Sequence, residues 1–367
     1  MKATERIFHL SHTDLDGYGA QFMVAQGFYN CQFYNCDYKE IDHTLHAIIK
    51  QIKLELLVGK TVSLLLITDL NLNLNQAEWL TKALDKLENA PQLLLLDHHA
   101  TGVSVAERYE WYRLNTAHCA TWLAYEWVSH YMPDAEKVER LKRLAEFVEV
   151  TDLWKVGHED FSKVNFLADM MFERPWYPPE FEGVGREYRF HLIDQVFQTF
   201  DEQSATVRDC ERSLYDIKMN FLVQQNVPES ILNDANLPLE HKLYHLILQL
   251  YLAQSSSITT IAGYKACIFY AWSGTLFQHL GSILLQTQPD IQVTIRVSSQ
   301  GKLSLRSHDE QHNVSELAQT YFNGGGHPCA AGGSLPFDRI DSYESAVKQL
   351  KITVDKKNRK LASEKKT

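Results

Sequence analysis

The sequence predicts an α/β protein with an N-terminal parallel sheet, a helical insertion and a smaller C-terminal α/β domain. Three observations predict it. In the first 155 residues, short apolar runs alternate with segments of helical spacing, as in βαβ units. After residue 257, the chain becomes rich in the β-branched and aromatic residues that favour strands. The length of 367 residues also suits two separate hydrophobic cores.

Four apolar runs predict the strands of the N-terminal sheet. They span residues 7–10, 31–34, 62–67 and 93–96. Segments of helical spacing lie between them at residues 20–28, 41–58 and 76–87. Alternation of this kind indicates parallel strands, and the binding sites of such sheets lie outside the carboxyl ends of the strands.

The rest of the chain is predicted to be helical to about residue 254 and then to form a second α/β domain. Strands are expected within 258–272 and 291–306, with helices over 276–286 and 314–322. The expected segments are a sheet domain at 1–155, a helical insertion at 156–257, a C-terminal domain at 258–350 and a basic tail at 351–367. The boundary between the helical insertion and the C-terminal domain is expected in the polar stretch 254–257.

Composition and charge exclude several classes of protein. The formal net charge is −10, whereas proteins that track long nucleic acids need an extended basic surface. No apolar run approaches the roughly 18 residues that span a bilayer, and residues 1–12 lack the features of a secretory signal. Six cysteines without a CxxC pair indicate reduced thiols in the cytoplasm. The expected partner is a small anion rather than a membrane or long nucleic acid. The sequence does not decide whether the protein forms a homodimer.

Polar residues with metal-binding side chains follow three of the predicted strands. They are His12, Asp14, Asp16, Asp69 and His98. Carboxylate and imidazole donors suit Mn²⁺ and similar divalent ions, and a carboxylate such as Asp69 can bridge two ions that clamp a phosphoryl group. A single aspartate after a strand is more often a helix cap, but three clusters at successive strand ends favour one shared site.

These residues resemble the motifs of a known superfamily. The segment His12-Thr13-Asp14-Leu15-Asp16-Gly17, the strand end at Asp69 and Asp97-His98-His99 look like motifs I to III of the DHH phosphoesterases. Asp152, in the segment Glu149-Val150-Thr151-Asp152-Leu153-Trp154, fits motif IV. The long helical region is most similar to the oligoribonuclease branch, and its aromatics Trp176, Tyr177 and Phe181 are expected to wall off the cleft or to stack a base.

The resemblance implies two divalent metal ions, with Mn²⁺ favoured and Mg²⁺ or Co²⁺ as alternatives. One ion would be held by His12, Asp14 and Asp69, and the other by Asp16, Asp69, His98 and Asp152. Asp97 would orient an imidazole from outside the metal shell. His99 would contact the scissile phosphate or assist the leaving group, with a purely structural hydrogen bond as the alternative interpretation.

A glycine-rich segment near the C-terminus resembles the substrate-binding motif of the DHH-associated domain. It runs over residues 324–333 and follows a strand that carries an arginine. Successive glycines let backbone N–H groups approach an anion closely, and arginine and histidine side chains add charge-assisted hydrogen bonds. The expected substrate-binding residues are Arg306, Ser307, Gly324, Gly325, Gly326 and His327.

The resemblance implies a metal-dependent phosphodiesterase that hydrolyses very short RNA, especially dinucleotides such as pGpG, to nucleoside 5′-monophosphates. The alternatives are a 3′,5′-bisphosphonucleotide (pAp) phosphatase and a cyclic dinucleotide phosphodiesterase. A non-catalytic scaffold is disfavoured because every expected ligand type is present.

Overall fold

The computed structural model describes residues 2–173, 176–254, 257–337 and 339–364. The chain divides into two compact units: unit 1 lies within residues 1–174 and 186–217, and unit 2 within 175–185 and 218–367. The fold is α/β, as the sequence predicts, with a parallel sheet in unit 1 and a mixed sheet in unit 2. The expected boundary at 254–257 and the end of the basic tail include residues 255–256 and 365–367, which lie outside the described residues.

Unit 1 contains a five-stranded parallel sheet in the order β2-β1-β3-β4-β5. The strands are β1 (Ile7–Ser11), β2 (Cys31–Asn35), β3 (Leu64–Thr68), β4 (Gln92–Asp97) and β5 (Tyr112–Leu114). Every residue of β1 and β3 is buried, which explains their apolar runs, since helices cover both faces of a parallel sheet. The sequence did not predict β5, because three residues are too few to form a recognisable run.

Helices connect these strands and enclose the sheet. They are α1 (Leu15–Gly27), α2 (Ile41–Leu57), α3 (Leu74–Asp85), α4 (Val103–Ala106), α5 (Ala120–Ser129), α6 (Ala135–Asp152) and α7 (Phe161–Met171). Two more helices, α8 (Glu182–Gln203) and α9 (Val207–Gln224), contribute residues to both units. Apolar residues of α2 and α3, such as Leu45 and Leu80, share one core cluster with the strand residues Leu65 and Ile67.

The chain order reverses between β1 and β3, since β2 lies on one side of β1 and β3 on the other. In open parallel sheets, the ligand crevice lies at the carboxyl ends of the strands that flank such a reversal. The first turn of α1 approaches this crevice closely. A Cβ atom on Gly17 would lie 2.4 Å from the carbonyl oxygen of His12, so only glycine allows the helix to begin there.

Unit 2 contains a six-stranded mixed sheet in the order β10-β11-β9-β8-β7-β6. The strands are β6 (Ile258–Ile261), β7 (Tyr264–Tyr270), β8 (Val293–Val297), β9 (Lys302–Ser307), β10 (Gly325–His327) and β11 (Ala330–Ser334). Only the β7–β8 pair is parallel among these described strands. The helices are α10 (Glu229–Leu232), α11 (Leu239–Leu252), α12 (Gly274–Thr287), α13 (Val314–Tyr321) and α14 (Tyr343–Glu364).

The structure shows how the aromatic residues near position 176 and the basic tail are arranged. Trp176, Tyr177 and Phe181 are all buried, so the expectation that these aromatics stack a substrate base is wrong for this structure. The described part of the basic tail continues α14 to Glu364. None of the helices in the described ranges is long and apolar enough to cross a membrane.

Candidate functional site

The loop after β1 places His12 and Asp14 against each other. Asp14 caps α1, because its Oδ1 accepts a hydrogen bond from the Gly17 backbone N–H at 3.0 Å. Its Oδ2 lies 2.7 Å from His12 Nδ1. Asn35, at the end of β2, donates from its side chain to the His12 carbonyl at 2.7 Å and so fixes the loop. Asp14 therefore acts as a helix cap, and the cap uses only one of its two carboxylate oxygens.

Asp69 lies between His12 and His98. It directly follows β3, is only 2% exposed, and has a left-handed backbone with φ of 56°. Its Oδ2 lies 3.8 Å from His12 Nδ1, and its Oδ1 lies 3.3 Å from His98 Nε2. Aspartate is among the few residues that tolerate this backbone conformation. A non-glycine residue in this region at a strand end is typical of functional sites, where surrounding structure holds the strain.

His98 brings the remaining predicted ligands together. Its Nε2 lies 3.7 Å from Asp16 Oδ2 and 3.5 Å from Asp152 Oδ2, in addition to its contact with Asp69. The six predicted metal ligands thus meet at the carboxyl ends of the central strands. Their ligand atoms form three close groups: His12 with Asp14 and Asp69, Asp69 with Asp97, His98 and His99, and Asp16 with Cys119 and Asp152. The contacts of His98 with Asp16 and Asp152 link the last two groups.

Asp16 also has a structural role. Its two carboxylate oxygens accept backbone hydrogen bonds from Ala120 and Thr121 at 2.7 Å each, at the start of α5. The N-terminus of a helix favours a negative charge, so α5 helps to hold this buried carboxylate in place. Burial nevertheless raises the pKa of Asp16, although the nearby His98 acts in the opposite direction. Each oxygen keeps a second lone pair for a further partner.

The electrostatics of the cluster fit divalent cations. Burial and the neighbouring charges of Asp14 and Asp16 raise the pKa of Asp69 well above its usual range. Burial and the charge of Asp16 raise the pKa of Asp152 to about 9. One oxygen of Asp69 and one of Asp152 are buried and accept no hydrogen bond from the described residues. Buried carboxylates without partners are costly, and cations would both neutralise them and complete their coordination.

Asp97 and His99 form a second arrangement beside this cluster. Asp97 is fully buried at the end of β4, and its two oxygens accept hydrogen bonds from His99 Nδ1 at 2.7 Å and from the Tyr112 hydroxyl. The hydrogen bond to Asp97 raises the pKa of His99. His99 Nε2 lies 3.4 Å from the hydroxyl of Tyr38. Asp97 therefore fixes one nitrogen of His99, and the other lies beside the exposed side chain of Tyr38.

The glycine-rich segment of unit 2 forms the hairpin of β10 and β11. Arg306 of β9 is paired with Ala330 of β11, which is paired with His327 of β10, so the arginine and the histidine flank a small residue on one face. The guanidinium of Arg306 lies over the ring of Phe277, with 5.9 Å between the guanidinium carbon and the ring centroid. On this face of the sheet, a guanidinium and an imidazole side chain therefore lie beside alanine and glycine residues.

Contacts within the protein explain the residue type at two predicted positions next to this hairpin, Ser307 and Gly324. Ser307 lies on the opposite face of β9 from Arg306, is buried, and donates its hydroxyl to the carbonyl of Asp309 at 3.1 Å. A Cβ atom on Gly324 would lie 1.9 Å from the carbonyl oxygen of Gly332, so the chain's own packing requires this glycine.

The other two glycines of the run differ from each other. Gly326 has φ of 151°, and a Cβ atom there would lie 2.5 Å from the Ala330 carbonyl oxygen. At Gly325, the nearest atom to such a Cβ would be 3.7 Å away, on Gln319. Gly325 is the one of the three predicted glycines whose identity the hairpin's own packing does not dictate.

A curated protein of Helicobacter pylori (strain ATCC 700392 / 26695), described as a 3′,5′-cyclic-nucleotide phosphodiesterase, is 30% identical to the chain over 337 residues, which cover 90% of this chain and 93% of that protein. The chain belongs to the family of this phosphodiesterase. A crystal structure of an uncharacterized protein from Helicobacter pylori G27 has a TM-score of 0.77 and 27% identity, with 96% of this chain and 99% of that chain covered.

Other comparisons add little to this assignment. No model of a known protein family matches the chain. A solved structure described as a pGpG-specific phosphodiesterase, PggH, from Vibrio has a TM-score of only 0.29 and 13% identity, a level that supports no inference about this chain.

Sequence reasoning missed several residues of this phosphodiesterase-family site. Asp37 and Tyr38 follow β2, and Asp37 Oδ1 lies 3.6 Å from His12 Nε2. Their position after a strand was the available signal, but the run at 31–34 is too weakly apolar to draw attention to it. Glu149 was not predicted either. Its oxygens accept hydrogen bonds from His118 Nδ1 at 2.8 Å and from Lys155 Nζ at 2.7 Å, one turn of α6 before Asp152.

Proposed function

We propose that the chain is a divalent-metal-dependent phosphodiesterase of the DHH superfamily that hydrolyses 3′,5′-phosphodiester bonds in small nucleotides. The observation that carries this proposal is the buried Asp69 carboxylate between His12 and His98, with partnerless carboxylate oxygens around it. The family relationship to a protein described as a phosphodiesterase supports the same reaction class.

The proposed metal ligands form two sets that share Asp69. His12, Asp14 and Asp69 would hold one ion, and Asp16, Asp69, His98 and Asp152 the other, with Mn²⁺, Mg²⁺ and Co²⁺ as candidates. When bound, such a pair of ions polarises a phosphoryl oxygen and lowers the pKa of a bound water. The carboxylates provide the negative charge that keeps both cations in place.

His99 is the proposed contact with the reacting phosphate. Since Asp97 accepts from Nδ1, the imidazole presents Nε2 away from the core. The raised pKa of His99 favours the protonated ring, which can donate Nε2–H to a phosphate oxygen or give a proton to the departing alkoxide. Tyr112 holds the second oxygen of Asp97 and thereby limits rotation of the carboxylate.

The substrate class follows from the linkage. A 3′,5′-cyclic nucleotide and a linear dinucleotide such as pGpG share the same 3′,5′-phosphodiester bond, whereas pAp carries only phosphomonoesters. The description of the Helicobacter pylori relative favours the cyclic nucleotide. The resemblance of the segment 324–333 and Arg306 to a substrate-binding motif favours the dinucleotide, because its 5′-phosphate is a second anionic group that a cyclic mononucleotide lacks.

The proposal is tested with a substrate panel. Initial rates are measured with Mn²⁺ for 3′,5′-cyclic AMP, pGpG, cyclic di-GMP, pAp and a ten-nucleotide RNA at equal concentrations. We expect hydrolysis of the cyclic nucleotide, the dinucleotide or both, a rate at least about tenfold lower for the ten-nucleotide RNA, and loss of all activity with a chelator. Hydrolysis of pAp alone would replace the proposal by a phosphatase, and a rate that rises with RNA length would replace it by an exonuclease.

The role of unit 2 is tested by the substitution Arg306→Ala. We expect KM for pGpG to rise about tenfold or more, because a charge-assisted hydrogen bond contributes roughly 1.5–3 kcal/mol. KM for a cyclic mononucleotide and the content of bound Mn²⁺ should stay unchanged. Lys348→Ala is the control, since this exposed lysine belongs to α14, which packs on the other face of the sheet. Loss of metal with unchanged KM would contradict this division of roles.

A further inference from the structure

Unit 2 contains a pocket of about 410 Å³ in which three histidines meet. His241 and His245 come from α11 and His279 comes from α12, and Asp234 lies in the same lining. All four side chains are half-buried. None of the lining residues of this described pocket is a lysine or an arginine. The pocket therefore combines three imidazoles and a carboxylate without a competing cation.

The three histidines come from two helices that contact each other. His241 and His245 are four residues apart on one helix, so their side chains lie on the same face. The rings of His241 and His279 have centroids 6.0 Å apart. Two imidazoles on one tetrahedral Zn²⁺ have centroids roughly 5 Å apart, given Zn–N distances of about 2.0–2.1 Å. The centroids of His241 and His279 are thus about 1 Å farther apart than in such a coordinated pair.

An aromatic residue of α11 contacts one of these rings. Tyr244 stacks on His279 with 5.3 Å between centroids and an interplanar angle of 17°. As the rings stand, their nitrogens do not all converge on one point, but partly exposed side chains at an open pocket can rotate.

We propose that His241, His245 and His279 form a Zn²⁺ site in unit 2, with Asp234 or a water molecule as the fourth ligand. Nitrogen donors with one oxygen are the ligand set that Zn²⁺ prefers among divalent ions. Co²⁺ can replace it as a spectroscopic probe. The site shares no residue with the proposed phosphodiesterase centre, so the Zn²⁺ proposal does not depend on the proposed function.

The test measures Zn²⁺ binding to the full-length protein with the candidate centre of unit 1 silenced by Asp69→Asn and Asp152→Asn. We expect one equivalent of Zn²⁺ to remain bound, as measured by equilibrium dialysis. Adding His279→Ala should weaken this binding at least about a hundredfold, as should His241→Gln. His308→Gln is the control, because it changes an exposed histidine of unit 2 outside the pocket and should leave the affinity unchanged.

A second readout protects the test against misfolded variants. The same silenced protein titrated with Co²⁺ should develop visible absorption bands of tetrahedral coordination, and these bands should disappear in each pocket variant that keeps its far-UV circular dichroism. The proposal is overturned if the silenced protein retains no Zn²⁺, or if His241→Gln and His279→Ala both bind it as tightly as their parent.

Discussion

Asp69→Asn is expected to lower turnover at least about a thousandfold, which corresponds to roughly 4 kcal/mol in the barrier. Asp69 is the only proposed ligand shared by both ions, and an amide cannot bridge two cations as a carboxylate does. Asparagine is the suitable replacement because it tolerates the left-handed backbone at this position, where φ is 56°. Its effect on activity is therefore not a consequence of backbone strain.

The same substitution should stabilise the metal-free protein. Burial and the nearby carboxylates make the charged form of Asp69 unfavourable, as its raised pKa indicates. Removing this charge should raise Tm by about 2–4 °C per kcal/mol gained. The measurements are kcat with Mn²⁺ and a thermal melt in chelator. Asp85→Asn, at an exposed position of α3, is the control for both. An active Asp69→Asn variant would remove the shared-ligand assignment.

The second large effect is expected from Asp97→Asn. This buried carboxylate holds His99 and the Tyr112 hydroxyl together, and an amide cannot accept both hydrogen bonds. Loss of a group that orients a functional histidine typically costs about 10–100-fold in activity, and the unmet hydrogen bond should cost about 1–3 kcal/mol in stability. The measurements are kcat/KM and the free energy of unfolding in urea.

A double-substitution cycle shows whether Asp97 acts through His99. We expect Asp97→Asn to reduce kcat/KM only slightly when His99→Ala is already present, because the group that it orients is then gone. Tyr112→Phe is the matched control, since it keeps the contact between Asp97 and His99 and should cost much less activity. Additive effects of Asp97→Asn and His99→Ala would mean that the aspartate has a separate role.

The sequence predicts the parallel sheet and the strand ends well because burial on both faces makes strands such as β3 continuously apolar. Polar residues directly after such strands, including Asp69 and His98, are then conspicuous. Asp152 is different, because nothing local marks the end of α6 as part of a site. Its place beside His98 depends on tertiary packing, and only the resemblance to a known motif indicated it.

Other features could not be predicted for equally physical reasons. The capping of α5 by Asp16 joins residues more than 100 positions apart, which no local pattern reveals. The glycines at 324 and 326 were interpreted as an approach to an anion, whereas the structure shows that close packing of the hairpin itself requires them. The aromatic residues near position 176 are buried, and composition alone does not distinguish buried aromatic residues from a surface that stacks a base.

The central claim is that two metal ions share the Asp69 carboxylate. It is tested most directly by low-temperature electron paramagnetic resonance during titration of the purified full-length protein with Mn²⁺. We expect the second equivalent of Mn²⁺ to produce the spectrum of a spin-coupled pair, because the two ions of such sites lie about 3.5–4 Å apart. A spectrum of isolated Mn²⁺ ions throughout the titration would contradict it.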